Sequence, residues 1–189
     1  VFMAICFSFF CLKHSMLFAE KDDDEVILCL NYDGKFGLNN MNSYFQNDNS
    51  SGEPIEWQEW TYKIGDHILF NDSRRFPILY NNLKGIIVSI EKLSKEISFT
   101  VDVFTNLTKD ICDKNEIEFI SAQEDTTRIK FSVYEYDESS DGENEYARML
   151  SVIPFQLAYA VSIHKAQGLE YDSVKVIIPR STSERITHG

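Results

Sequence analysis

Two apolar runs near the C-terminal end flank one polar turn, in Ala158-Tyr-Ala-Val-Ser-Ile-His-Lys-Ala-Gln-Gly-Leu-Glu-Tyr-Asp-Ser-Val-Lys-Val-Ile-Ile-Pro179. The pattern predicts a strand, a turn with a short helix, and a second strand. The turn gathers a hydroxyl (Ser162), an imidazole (His164), an ammonium (Lys165), an amide (Gln167), a glycine (Gly168) and a carboxylate (Glu170). Apolar runs on both sides would hold this set at the edge of a buried sheet, where open α/β sheets place ligands. A related pattern occurs earlier. Val26-Ile-Leu-Cys-Leu30 suits a buried strand, Asn31–Gly37 is rich in turn formers, and Leu38, Met41 and Phe45 fall at helical spacing. Strand, glycine-containing loop and helix in that order make one α/β unit.

Between these two units the pattern changes. Residues 47–54 form a polar linker rich in helix breakers. From Trp57 to about Tyr136, short β-branched and aromatic runs alternate with turns, at His67–Phe70, Gly85–Lys92, Ile97–Val103 and Thr127–Tyr134. Such spacing predicts a small antiparallel barrel or meander. Asn81, Asn82 and Gly85 supply residues tolerant of positive φ at a turn. The acidic run Glu135–Glu145 is predicted to be an exposed loop. Trp57, Trp60 and Tyr62 are expected in the core, with base stacking as the other use of such aromatics.

The segment 158–179 resembles motif V of the superfamily 1 helicases, the UvrD- and RecD-like enzymes, in their HKSQG form. "ILCLNYDGKFGLNNMNSYFQ" is similar to the start of the second motor domain of those enzymes, around motif IV, where a strand leads to a G-x-N-x-x-N helix. "YKIGDHILFNDS…LYNNLKGIIVSIE" looks like the hairpin of the Src-homology-like barrel inserted in RecD-type motor domains. The implied fold is α/β: an incomplete RecA-like parallel-sheet motor domain (25–50 and 150–189) interrupted by a small β-barrel (57–136), with an acidic loop at 137–149. Residues 1–24 stand outside this scheme.

The resemblance implies roles for the turn. A protein moving on single-stranded nucleic acid must grip the backbone without reading bases, and small donors and cations on strand ends suit that task. Ser162, His164 and Lys165 are the expected nucleic-acid contacts, and Gln167, Gly168 and Glu170 the expected nucleotide contacts. Each has a plainer reading. Ser162 and His164 could serve local backbone groups. Gly168 could be a helix C-cap rather than a place where phosphate meets a backbone N–H. Glu170 suits a ribose hydroxyl better than a phosphate, since like charges repel, and could equally be a solvated carboxylate. Ala166 replaces the serine common in the family, which puts any role at that position in doubt.

Composition narrows the picture further. The chain has 189 residues, enough for one or two domains with a real core. Its formal net charge of -12 argues against a general nucleic-acid coat protein and leaves room for a local basic groove. The four cysteines lack CxxC spacing, so no metal site is expected and reduced thiols in a cytoplasmic protein are. The apolar run Val1–Leu12 lacks a preceding basic region and is shorter than the ~20 residues of a membrane span, so a cut end, a poorly defined helix or translated upstream sequence is expected there, with export or membrane contact as the rival.

No phosphate-binding loop G-x-x-x-x-G-K-[ST] occurs; the Gly34-Lys35 pair is followed by Phe36. Asp22–Glu25 precedes an apolar strand rather than ending one, so it is not the magnesium-holding carboxylate. The expectation is therefore part of an ATP-dependent helicase, using ATP and Mg2+ only in the intact parent, inactive as an ATPase alone. Its expected partners are single-stranded DNA or RNA and the first motor domain of the parent. The alternatives are a non-catalytic protein-interaction module or a truncated relic of a helicase.

Overall fold

In the computed structural model, which describes residues 2–6, 25–136, 145–167 and 173–178, continuous apolar runs become a parallel sheet and alternating runs an antiparallel one. In chain order the elements begin with β1 (Phe2–Cys6), β2 (Glu25–Cys29), α1 (Leu38–Asp48), β3 (Ile55–Trp57), β4 (Trp60–Tyr62) and β5 (His67–Phe70). They continue with β6 (Lys84–Lys92), β7 (Glu96–Val103), α2 (Lys109–Lys114), β8 (Glu118–Ala122) and β9 (Thr127–Tyr134). Last come α3 (Glu145–Ser151), β10 (Phe155–Leu157), β11 (Ala160–Ser162), α4 (Ile163–Ala166) and β12 (Ser173–Ile178). The chain divides into two compact units: the described residues up to Asn47 and from Tyr159 onward, and Asp48–Ala158.

The first unit holds a four-stranded sheet in the order β1-β12-β2-β11. All its pairings are parallel. Parallel strands are covered on their faces, which is why their sequences read as near-continuous apolar runs. Helix α1 supplies such cover. Leu38, Met41 and Phe45 line one stripe and pack with Ile27, Cys29, Ala160 and Ile177. Phe45 is 2% exposed, and burial of a side chain of that kind contributes about 2 kcal/mol. Asn42 lies on the same stripe and is also buried. Its Oδ1 accepts the Ala160 N–H at 2.8 Å, which ties the start of β11 to α1.

The second unit is built on a six-stranded antiparallel sheet in the order β10-β5-β6-β7-β9-β8, with β3 and β4 as a separate ribbon. Alternation is cleanest on β9, where Thr127, Ile129, Phe131 and Val133 are buried and their neighbours are not. One face of this sheet encloses a shared aromatic core. Phe131 on β9 and Phe155 on β10 lie four strand steps apart, about 19 Å in a flat sheet at about 4.8 Å per step. Their ring centroids are 6.2 Å apart. Phe70 and Phe131, three steps apart, are at 6.3 Å. The sheet therefore curls strongly on itself, helped by a register shift in β6 between Ile87 and Ser89. Its terminal strands β10 and β8 do not pair with each other among the described residues.

A buried corner pins the residues just before this sheet. Asp66 is 0% exposed and accepts the Lys63 N–H at 2.8 Å and the Asn49 amide at 3.0 Å. Gly65 makes the corner possible at φ +83.

Several expectations need correction. Phe2–Cys6 is a strand, pairing from Phe2↔Val174 to Cys6↔Ile178, rather than a poorly defined helix; a β12 edge is available to a short apolar run. Residues 145–149, expected in an acidic loop, belong to helix α3, whose glutamate, alanine, arginine, methionine and leucine favour helix. Residues 137–144 of that loop lie outside the described residues. Of the three residues expected to tolerate a left-handed turn, Asn82 adopts φ 71, whereas Gly85 lies inside β6. There a Cβ would meet Asp102 O and Val101 Cγ1 at 3.0 Å, so glycine serves close strand approach. Trp57 and Tyr62 are buried as expected, and Trp60 is 55% exposed. Among the described residues no helix is long and apolar enough to cross a membrane.

Candidate functional site

Strands β2 and β11 end level with one another, since Cys29 and Ser162 are register partners. The loop 30–37 leaves β2 and helix α4 leaves β11 from the same sheet edge. This carboxyl edge of parallel strands is where α/β folds present ligand-binding groups.

The loop is fixed by its own backbone. Gly34 adopts φ +94, a conformation suited to glycine. Gly37 N–H donates to Gly34 O at 2.9 Å, and Leu38 N–H to Asn31 O at 2.8 Å. A side chain at position 37 would put its Cβ 2.6 Å from Tyr32 O, so only glycine fits. This tight turn presents Tyr32, which is 51% exposed, and the exposed Lys35, whose ammonium lies 5.9 Å from the Phe36 ring centroid.

Ser162 is the N-cap of α4, with φ -75 and ψ 152. Its Oγ accepts the Lys165 N–H at 3.4 Å and the Tyr32 hydroxyl at 3.4 Å. Both contacts are at the long limit for hydrogen bonds, so this oxygen is held weakly. Ser162 itself is 4% exposed. The local reading of Ser162, service to nearby backbone, is therefore realised in the structure. His164 is exposed, Lys165 is half-buried and Gln167 is exposed. These four residues share one turn of chain. Gly168 and Glu170 lie outside the described residues.

Tyr32 was not singled out from sequence, where it reads as one polar residue of a turn. Its signal is positional: it follows a predicted buried strand by two residues, in a unit parallel to the one carrying Ser162. Close by, burial pushes the Cys29 thiol up to about 11, so it is protonated at neutral pH and is no nucleophile there.

The donor set of hydroxyl, imidazole, ammonium and amide suits phosphate and sugar oxygens. It does not suit a divalent cation. No cluster of His, Cys, Asp or Glu among the described residues could hold a metal ion, so magnesium finds no ligand set there.

The chain matches no protein-family model, and no curated protein matches it significantly. Among solved structures it is similar to Pif1 helicase from Bacteroides in complex with ADP-AlF3 and ssDNA, at 15% identity and a TM-score of 0.43, covering 90% of this chain and 37% of that one. A structure described as DNA unwinding at forked dsDNA by two coordinating Pif1 helicases gives 16% identity and a TM-score of 0.36, covering 86% and 35%. Bacteroides Pif1 bound to ssDNA gives 15% identity and a TM-score of 0.35, covering 86% and 37%. The chain thus spans little more than a third of the length of these helicases.

Proposed function

We propose that this chain is part of the second motor domain of a superfamily 1, UvrD- or RecD-like DNA helicase, and that the β11–α4 turn grips single-stranded DNA. The observation that carries this reading is the placement of the turn. The residues resembling motif V leave the carboxyl end of a parallel strand, level with the end of β2 and its motif IV-like loop.

The roles follow the resemblance to motif V. His164 and Lys165 reach phosphate oxygens, one as a ring donor and one as a charge. Ser162 caps the turn and, through its weakly held Oγ, offers a hydroxyl to the strand. Gln167, Gly168 and Glu170 are assigned to the nucleotide, with the carboxylate on the ribose. A bound nucleotide supplies the phosphoanhydride whose cleavage drives stepping. This chain contributes binding and orientation to that step, while the metal ligands belong elsewhere in the parent protein. Residues 57–136, within the curled sheet of Asp48–Ala158, are in this reading the Src-homology-like insertion of that motor domain.

The test is an amide spectrum of the 15N-labelled chain. Oligo-dT should shift the Ser162–Lys165 resonances, and a non-hydrolysable ATP analogue those of Gln167–Glu170. Shifts confined to other residues with both ligands would contradict the assignment.

A further inference from the structure

The loop between β2 and α1 holds two aromatic side chains, and they are placed differently. Phe36 packs against the core of the first unit. Tyr32, four residues earlier, is 51% exposed. Half of this residue stays in water, although burying an aromatic ring would stabilise the fold.

The backbone around Tyr32 is pinned. Its own carbonyl accepts the Asn39 N–H at 3.1 Å, and the Asn31 carbonyl accepts the Leu38 N–H at 2.8 Å. Both bonds run to the first turn of α1, so the loop keeps Tyr32 at one place on the sheet edge. The side chain is tethered at its far end too. Its hydroxyl donates to Ser162 Oγ at 3.4 Å. Ser162, the inner end of this contact, is 4% exposed, and Tyr32, the outer end, is mostly open. The phenol oxygen is bonded directly to the ring, so the ring stands beside the β11–α4 turn, within a sugar's breadth of it. The two charges of the loop, Asp33 and Lys35, cancel in sum. Asp33 Oδ1 lies 3.4 Å from Asn39 Nδ2, on the α1 side of the loop.

We infer that Tyr32 is a further contact of the single strand, its ring stacking on the base of the nucleotide whose phosphate the β11–α4 turn holds. This role rests on the assignment of that turn to the strand. Phosphate contacts need no base, whereas stacking does. Every base has a π-face, so Tyr32 adds affinity without sequence preference. A tyrosine ring has only two side-chain torsions to order, and here its hydroxyl is already tethered, so little freedom is lost on binding. The base of a bound nucleoside triphosphate is the other source of such a face. The hydroxyl contact favours the strand: it goes to Ser162, which opens the turn and is assigned to the strand, and Gln167 lies at the turn's other end.

The experiment is fluorescence anisotropy on the full chain with labelled oligo-dT and with an abasic strand of the same length, which keeps the phosphates and lacks the bases. The native chain should bind oligo-dT about fivefold or more tightly than the abasic strand. Equal binding would overturn the stacking without recourse to any variant. Tyr32→Ala, checked by an otherwise unchanged amide spectrum, should weaken oligo-dT by a similar factor. It should leave the abasic strand and the salt slope as they are, since no phosphate contact is lost. Tyr32→Phe keeps the ring and loses the hydroxyl, so it should bind oligo-dT nearly as the native chain does. Equal losses for Tyr32→Ala and Tyr32→Phe would reduce Tyr32 to a tether for Ser162 and overturn the stacking. A Tyr32→Ala loss seen with a non-hydrolysable ATP analogue and not with oligo-dT would assign the ring to the nucleotide and overturn it likewise. Should Lys165→Ala lower the salt slope while Tyr32→Ala changes nothing, the grip of the turn stands and the role of Tyr32 falls alone. Failure of the native chain to bind either strand would overturn both.

Discussion

Cys29 ends β2 beside the candidate site, and its thiol is 0% exposed. With its pKa raised by burial to about 11 from 9.0, the folded protein keeps a proton that the unfolded chain releases. The sign follows from linkage: between about pH 9 and 11 the native state binds more protons, so stability falls as pH rises. The fall attributable to this thiol approaches about 1.4 kcal/mol per pH unit within that window. Urea titrations at pH 8, 9 and 10 should show a steeper alkaline loss for the native chain than for Cys29→Ala; parallel losses would contradict it. Burial also shields the thiol, so iodoacetamide at pH 8 should leave Cys29 unmodified in the folded chain. Gly37 and Asn42 make a second residue-scale case. Gly37→Ala forces a Cβ against the Tyr32 and Asp33 carbonyls and should cost about 2–4 kcal/mol while disturbing the loop that carries Tyr32. Asn42→Leu leaves the buried Ala160 N–H without its acceptor and should cost about 1–3 kcal/mol by denaturant unfolding.

At the scale of elements, the hydrophobic pattern was readable where burial is one-sided and sustained. Helix α1 follows from Leu38, Met41 and Phe45, and β5, β6, β7 and β9 from short β-branched and aromatic runs set between turns. What the pattern hid has physical causes. β8 lies at the sheet's edge with four of its five residues exposed, so no alternation marks it. β10 is three residues long and gains its identity from pairing with β5, a contact distant in sequence. Asp66 reads as a surface carboxylate and is in fact fully buried, because the Asn49 amide and Lys63 N–H reach it from a folded-back corner. Asp66→Ala removes these acceptors from partly buried donors and should cost about 2–3 kcal/mol, measured by thermal unfolding. In the candidate site, the motif resemblance located Ser162, His164, Lys165 and Gln167 on one turn. It gave no sign that Tyr32, from a loop 130 residues earlier, would hydrogen-bond to Ser162. That bond depends on β2 and β11 being neighbours, which local pattern does not encode.

The whole molecule carries a formal net charge of -12, so binding to a polyanion must come from a local group of donors rather than from the overall field. This makes salt dependence the sharpest probe of the β11–α4 turn. Each lost phosphate contact on a single strand lowers the slope of log affinity against log salt by about 0.7. The deciding measurement is fluorescence anisotropy of labelled oligo-dT with the native chain and with Lys165→Ala, across a range of salt concentrations. If the turn grips the strand, the variant binds more weakly at low salt and its slope falls by about 0.7. If native and variant chains show the same affinity and slope at every salt concentration, Lys165 touches no phosphate and the proposed grip is wrong.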